Sequence, residues 1–503
     1  MRSPTTILNC ILVLNLTLLT QCSPQKTSHL ANWKIKTQED WKQVIQNSSN
    51  LTIENGQISP NTAEATLESL IKNLATPASL KSITIKQSDI WENWIPIDNV
   101  GPNNARDAPV TLSLEDKNYW FFARFGSNKK NSFQAQEASL EGFDEPLLTS
   151  AIKNVYTAKG GLEKNTGGYH AWQSKDMINW VHRGPITEQK SRWMTTAEYA
   201  DGKFHFYYDF PNDQDPHLII DDNLLDGKLG TDMGLAFKDP SHGSDCAFIR
   251  DKDGKFHVIY EDWSPINAQQ NAWDSPLAGH AISVDGIKDF TILAPAVDER
   301  TTPTGKIGTF KHPHWVKEDP ANFSTNIAEY EIHEPKQNAF GDWAAVTIGE
   351  QHYLFGDYDP ADAHEMSVAW FTSSSLDEQF EFCGNIGKGH PDPDIMFAEN
   401  QFYLLTQQKS DFTSPGPWVE TVLIRVGVDS TNDGTIDTWI DWQEVKENYD
   451  YTPGFAKIVQ RTAASIDLRS LPKAYATQFE IKLIDTTENK SKPILDSITL
   501  EFN

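Results

Sequence analysis

Acidic residues recur at one place in a repeating pattern along this chain. Arg106-Asp107-Ala108-Pro109-Val110 precedes the strand-like Tyr119-Trp120-Phe121-Phe122, and Ser244-Asp245-Cys246-Ala247-Phe248 precedes Phe256-His257-Val258-Ile259-Tyr260. Gly341-Asp342-Trp343-Ala344-Ala345 stands before Tyr353-Leu354-Phe355, and Pro391-Asp392-Pro393-Asp394-Ile395 before Phe402-Tyr403-Leu404. A further unit runs from Trp193-Met194-Thr195-Thr196-Ala197-Glu198 into Phe204-His205-Phe206-Tyr207-Tyr208, with Glu198 as its acid. Asp245 and Asp342 each lie 11 residues before the aromatic residue that opens the next strand. Carboxylates gathered around one pocket push each other's pKa values apart, so one stays ionised while another keeps its proton at neutral pH. Hydrolysis of a glycosidic bond needs that asymmetry: a carboxylate to activate water and an acid to protonate the departing oxygen.

Five such units, over about Val100–Pro417, alternate short aromatic and β-branched runs with Gly/Asp/Asn turns. A third run also recurs and ends in a Ser/Asp-rich turn, as in His170-Ala171-Trp172-Gln173-Ser174, Ala281-Ile282-Ser283 and Ala369-Trp370-Phe371-Thr372-Ser373. The repeat predicts an all-β fold, a five-bladed β-propeller over 100–417. The innermost strand of each blade ends at a common axis. Asp107, Glu198, Asp245, Asp342 and Asp394 are therefore expected to converge although they lie far apart in sequence. Residues 23–99 read as a short mixed region with helix-like patches at Gln38–Gln46 and Asn61–Leu74. Residues 418–503 read as a C-terminal β-sandwich, from alternating runs at Val419–Val428, Thr438–Trp442, Gln478–Ile484 and Ile494–Phe502. Its turn, Asp429 to Asp437, is a partial calcium-loop pattern. Thr431 replaces the usual third acid or amide and no Glu closes the loop, so a hydrogen-bonded turn is the alternative.

The 503 residues carry 70 Asp and Glu against 43 Lys and Arg, a net charge of −27. That excludes nucleic acid and anionic membrane as partners, because both reward basic patches. Hydrophobic residues make up 38% and aromatics 11%, enough for sizeable cores. Most of the 16 tryptophans are expected in cores and some as flat platforms for sugar rings. Met1, Arg2 and the apolar Ile7–Leu19 fit a signal peptide over 1–22, and Leu19-Thr20-Gln21-Cys22 resembles a lipoprotein box. The expectation is an exported bacterial protein, periplasmic or held at the outer membrane, with an N-terminal lipid as its only membrane contact. Cys246 and Cys383, with no C-x-x-C, make neither a disulfide framework nor a zinc site.

The Arg106-Asp107-Ala108-Pro109 opening and the segment Ser174-Lys175-Asp176-Met177-Ile178-Asn179-Trp180 resemble the propeller glycosidases of glycoside hydrolase families 43 and 117. The resemblance implies Asp107 as general base and Asp245 as the residue that orients and tunes the acid. Family 117 removes 3,6-anhydro-L-galactose from agar oligosaccharides and takes its acid from a Gly-His-Glu segment in the fourth blade. This chain has Phe340-Gly341-Asp342-Trp343 there, which leaves Asp342 as the leading acid candidate and Glu198, His314 and His333 as rivals. The chain is also similar to 3,6-anhydro-D-galactosidases of carrageenan oligosaccharides, which join such a propeller to a C-terminal β-module. The implied activity is an exo-acting, inverting glycoside hydrolase that releases terminal α-1,3-linked 3,6-anhydrogalactose, the D-form ahead of the L-form. An α-L-arabinofuranosidase or β-xylosidase of the family 43 kind, and a non-catalytic glycan-binding propeller, are the alternatives. Oligosaccharide contacts are expected from Trp193, Asp262, Trp263, His312, His314, His333, Trp343 and Asp394. No cofactor is required, and the resemblance allows a structural calcium or other divalent cation near His390.

Overall fold

The computed structural model describes residues 32–88, 95–97, 101–102, 105–125, 168–187, 193–209, 216–238, 245–261, 278–297, 339–359, 367–386, 392–406, 412–414, 421–484 and 492–503. Alternating and near-continuous apolar runs, rich in aromatic and β-branched residues, form short antiparallel strands throughout. Blade one comprises Ala105–Leu114, Asn118–Phe125, Tyr169–Ser174 and Trp180–Pro185; blade two, Trp193–Ala200, Lys203–Asp209, Pro216–Asp221 and Thr231–Leu235. Blade three comprises Ala247–Arg250, Phe256–Glu261, Ala278–Ser283 and Thr291–Ile292; blade four, Ala339–Ile348, Gln351–Asp359, Ser367–Ser373 and Glu381–Ile386. Blade five has Asp394–Ala398, Gln401–Leu405 and Phe412–Ser414. Its outer strand is Ile95–Ile97, contributed from before blade one, so the ring is closed by hydrogen bonds between the two ends of the repeat.

The first strand of each blade touches the first strands of both neighbours, from one round to five and back to one. Apolar cores fill the gaps between successive blades: Phe122 with Phe206, Tyr207 with Phe248, Ala247 with Trp343, Phe355 with Phe397, and Phe121 with Met396. The molecule is a five-bladed β-propeller joined to a β-sandwich. The Ser/Asp turn after the third strand has a local cause. Ser174 Oγ accepts the amides of Asp176 and Met177, and Asp176 Oδ1 accepts those of Ile178 and Asn179. Ser283 and Asp285 repeat the arrangement in blade three. These residues shape a turn.

The sandwich departs from the expected division of the chain. Strands Leu51–Glu54, Gln57–Pro60 and Leu80–Gln87 share one sheet with Ala464–Asp467 and Leu495–Phe502. Ile45–Ser49 and Glu64–Ser69 share the other with Thr421–Asp429 and Ala474–Ile484. The region at 23–99 is thus no separate unit. Its strands up to Gln87 complete both sheets of the C-terminal sandwich while Ile95–Ile97 goes to blade five, and one core holds Trp41, Ile83, Val426, Phe479 and Ile498. Gln38–Val44 is a helix, started by a capping box between Thr37 and Asp40. The second helix-like patch is two strands, Glu64–Ser69 and Lys72–Ala78. Ala65, Leu67 and Ser69 are buried and alternate with more exposed neighbours, a period of two that overrides the helical look. The Asp429 loop is a hydrogen-bonded turn. Asp429 accepts the amides of Thr431, Asn432 and Gly434, and Asp437 accepts from Ser430 and Thr438.

Candidate active site

Strand register defines which residues meet at the axis. In blade four, Gly341 pairs with Asp357 and Ala344 with Phe355, so Asp342 and Trp343 form a bulge in the innermost strand. Bulges re-aim side chains and are common beside active sites. Asp342 has φ 48°, Asp245 46° and Asp392 34°, all in the left-handed region that a non-glycine residue enters only where its surroundings impose it. Each of the three stands two residues before the point where pairing of its innermost strand begins, at Ala247 and Asp394, or resumes, at Ala344. Blades three, four and five therefore present one acid each at the same height.

A second set of acids faces them. Counted from the same paired positions, the second strands bring Asp209, Glu261 and Asp357 to equivalent places, all fully buried. The amide of Asp342 donates to Glu261 Oε1 at 3.2 Å, and the amide of Trp343 to the carbonyl of Asp245 at 3.0 Å, which ties blade four to blade three at the acids themselves. Burial pushes the Asp342 carboxyl well above the ordinary carboxylate range, and the negative charges of Asp245, Asp392, Asp357 and Glu261 push it further. Asp342 therefore keeps its proton to higher pH than an ordinary carboxyl does. Oxygens of Asp342, Asp357 and Asp392 lie within 4.8 Å of one another, a set of hard donors that would suit Ca²⁺ if all three ionised. Proton and cation exclude each other at Asp342, so the cluster is either an acid flanked by its tuners or a cation site.

The expected site residues divide. Asp245 and Asp342 meet. Asp107 lies in the corresponding bulge of blade one, between the pairs Arg106–Arg124 and Val110–Phe122, and its side chain is outside the described residues. Asp262, Trp263, His312, His314, His333 and His390 also lie outside the described residues. Glu198 does not join the cluster. The bulge of blade two is at Thr195, between the pairs Met194–Tyr208 and Thr196–Tyr207, and Glu198 stands further down the strand, 1% exposed. Asp394 is likewise a structural acid. The acid of blade five at the axis mouth is Asp392, whereas Asp394 is buried and accepts the Thr111 amide and hydroxyl, both at 2.6 Å, latching blade five to blade one.

Trp343 is 2% exposed and packs against Phe340 and Phe371, which makes it core and not a sugar platform. Trp193 keeps some exposure, but the Arg124 guanidinium lies 3.8 Å from its ring centroid and occupies one face. Sequence reasoning missed Asp392, Glu261 and Asp357. The available signal was an acid at or near the end of the second strand of three successive units, in Tyr208-Asp209, Tyr260-Glu261 and Gly356-Asp357.

No family model matches the chain, and no curated protein matches it. Among solved structures it is similar to a thermostable family-43 glycoside hydrolase, at 11% identity over 75% of this chain and 99% of the other, with a TM-score of 0.37. An endo-arabinase from Bacteroides thetaiotaomicron gives 10% identity, 63% and 98% coverage and a TM-score of 0.39. An exo-β-1,3-galactanase from Phanerochaete chrysosporium gives 8%, 81% and 100%, and 0.35. Likeness at this level assigns no activity. The fold is established by the strand pairing of the chain itself, a propeller whose axis is lined at one end by acids from three consecutive blades.

Proposed function

We propose that the protein is an exo-acting glycoside hydrolase. The observation that carries the reading is the convergence of Asp245, Asp342, Asp392, Asp357 and Glu261 at one end of the axis, with the Asp342 carboxyl raised by burial and by its acidic neighbours. Asp342 is then the general acid, protonating the glycosidic oxygen, and Asp245 tunes it through charge. Asp107, in the bulge of blade one across the axis, is the general base on water. An inverting reaction of this kind places base and acid carboxyls about 6.5–9.5 Å apart, leaving room for the water. The substrate is a short, neutral oligosaccharide with a terminal α-1,3-linked 3,6-anhydrogalactose, the D-form preferred. A net charge of −27 supports the neutral ligand, since it disfavours a heavily sulfated polymer. Export and an N-terminal lipid belong to the same proposal.

The test is direct incubation of the purified protein with unsulfated neocarrabiose, with neoagarobiose, and with aryl α-L-arabinofuranoside and β-xyloside. Anhydro-sugar release from neocarrabiose is expected. Release only of arabinose or xylose moves the enzyme to the pentoside class. Binding without any release, unchanged in Asp107→Asn, makes it a lectin. In the expected case Asp107→Asn and Asp342→Asn each lower kcat by roughly 10²- to 10⁴-fold.

A further inference from the structure

The sandwich sends a hairpin, Asn448–Tyr451 and Ile458–Thr462, across the end of the propeller opposite the acids. The innermost strand of blade four runs from Asp342 at one end to Ile348 at the other, where Thr347 and Ile348 pair in parallel with Ile458 and Val459. Five residues of strand separate Asp342 from Thr347, roughly 16 Å. The hairpin reaches every blade. The Tyr451 hydroxyl meets that of Tyr119 in blade one at 3.1 Å, and Arg250 of blade three donates to the Gly454 carbonyl at 3.0 Å. Thr347 of blade four donates to the Lys457 carbonyl at 2.9 Å, and Tyr451 stacks near Phe397 of blade five at 5.1 Å. Lys457 carries the contact into the axis. Its side chain is 5% exposed, and Nζ donates to Thr196 Oγ1 of blade two at 2.7 Å and to the Phe248 carbonyl of blade three at 2.9 Å. The buried carboxylates of Glu198 and Asp394 are its electrostatic neighbours.

We propose that Lys457 is a positioning residue for the acid cluster, one ammonium from the sandwich that holds the innermost strands of blades two and three in register. The inference rests on the proposed hydrolase reading for its kinetic consequence. Thr196 directly follows the blade-two bulge, Phe248 lies three residues beyond Asp245, and Asp394 two beyond Asp392. A buried charge bonded at Thr196 and Phe248, with the Asp394 carboxyl as an electrostatic neighbour, fixes the strands just below the residues that do the chemistry. The two sites are separated by strand, so Lys457 acts on the acids only through their backbone. Neither Glu198 nor Asp394 takes part in the reaction; both serve this anchor.

Two variants test it, Lys457→Met and the milder Thr196→Val, which removes one acceptor and leaves the charge in place. The expected result is kcat lowered by up to about 10²-fold in Lys457→Met, with KM kept within about twofold, and a smaller loss of the same kind in Thr196→Val. Hydrogen exchange of the Asp342 and Trp343 amides, which bond to Glu261 and Asp245, should quicken in both folded variants. Those amides report on the acid cluster without any substrate. If no glycoside is hydrolysed but exchange at Asp342 and Trp343 quickens, the hydrolase reading fails and the anchor stands. If wild-type protein is active and Thr196→Val leaves both kcat and that exchange unaltered, the anchor is overturned, whether or not Lys457→Met folds.

Discussion

Asp342 is held by its surroundings in the state a general acid needs. Its carboxyl is raised by burial and by four acidic neighbours, so the protonated form survives to higher pH than an ordinary carboxylate allows. In the proposed role of acid it must carry its proton before reaction, and kcat/KM should therefore fall as pH rises through its pKa. Asp392→Asn removes one negative neighbour, which lowers that pKa, and the alkaline limb should move to lower pH. A kcat/KM profile from pH 5 to 9 reads the shift. Loss of activity to EDTA, restored by Ca²⁺, is the contrary outcome, because it makes Asp342, Asp357 and Asp392 cation ligands. Asp245 and Asp342 were legible in the sequence because each precedes a turn and an aromatic strand at constant spacing. Asp392 was not, since Asp392 and Asp394 flank one proline and only the pairing of Asp394 with Leu405 shows which precedes the strand. Glu261 and Asp357 were hidden because an acid at a strand end usually faces water.

The element that carries Asp342 is a bulged strand, and the bulge is made by packing. Trp343 turns inward beside Gly356, where a Cβ would meet the Gly341 carbonyl at 2.8 Å and the indole at 3.1 Å. Gly356→Ala should therefore cost about 1–3 kcal/mol in a denaturant melt and disturb Asp342 along with Trp343. Blades and their order could be read from sequence, since each unit repeats the same strand, turn and Ser/Asp signature. The bulges could not, because an offset of one or two residues in pairing leaves no mark on composition. The segment at 64–78 shows the opposite failure, where spaced apolar residues imitate a helix until the alternating burial of Ala65, Leu67 and Ser69 is seen. Propensity yielded to the sheet that needed those residues.

At the scale of the whole molecule, buried imidazoles link the propeller's stability to pH. His170 and His182 stack in blade one, and His257 and His280 in blade three, each pair joined by a ring-nitrogen contact of 2.9 Å. Burial lowers His352 to about 4 and His280 to about 3, the latter with help from His257. These rings are neutral in the fold but take up protons near the ordinary value of about 6.5 when the chain unfolds. Their contribution is complete above that value and is lost as pH falls toward the folded ones. The melting temperature should drop between pH 7 and pH 5, and His352→Asn should flatten part of the drop. The hydrogen bonds that join the two ends of the chain have a consequence in time. Trp33–Ile35 pairs with Leu495–Phe502, and Ile95–Ile97 closes a blade whose other strands come some 300 residues later. Strands made first must wait for partners made later: the ring cannot close before Phe412–Ser414 is made, nor the sandwich before Leu495–Phe502. Folding of both units should be slow for their size, with early edges exposed to association until those strands arrive.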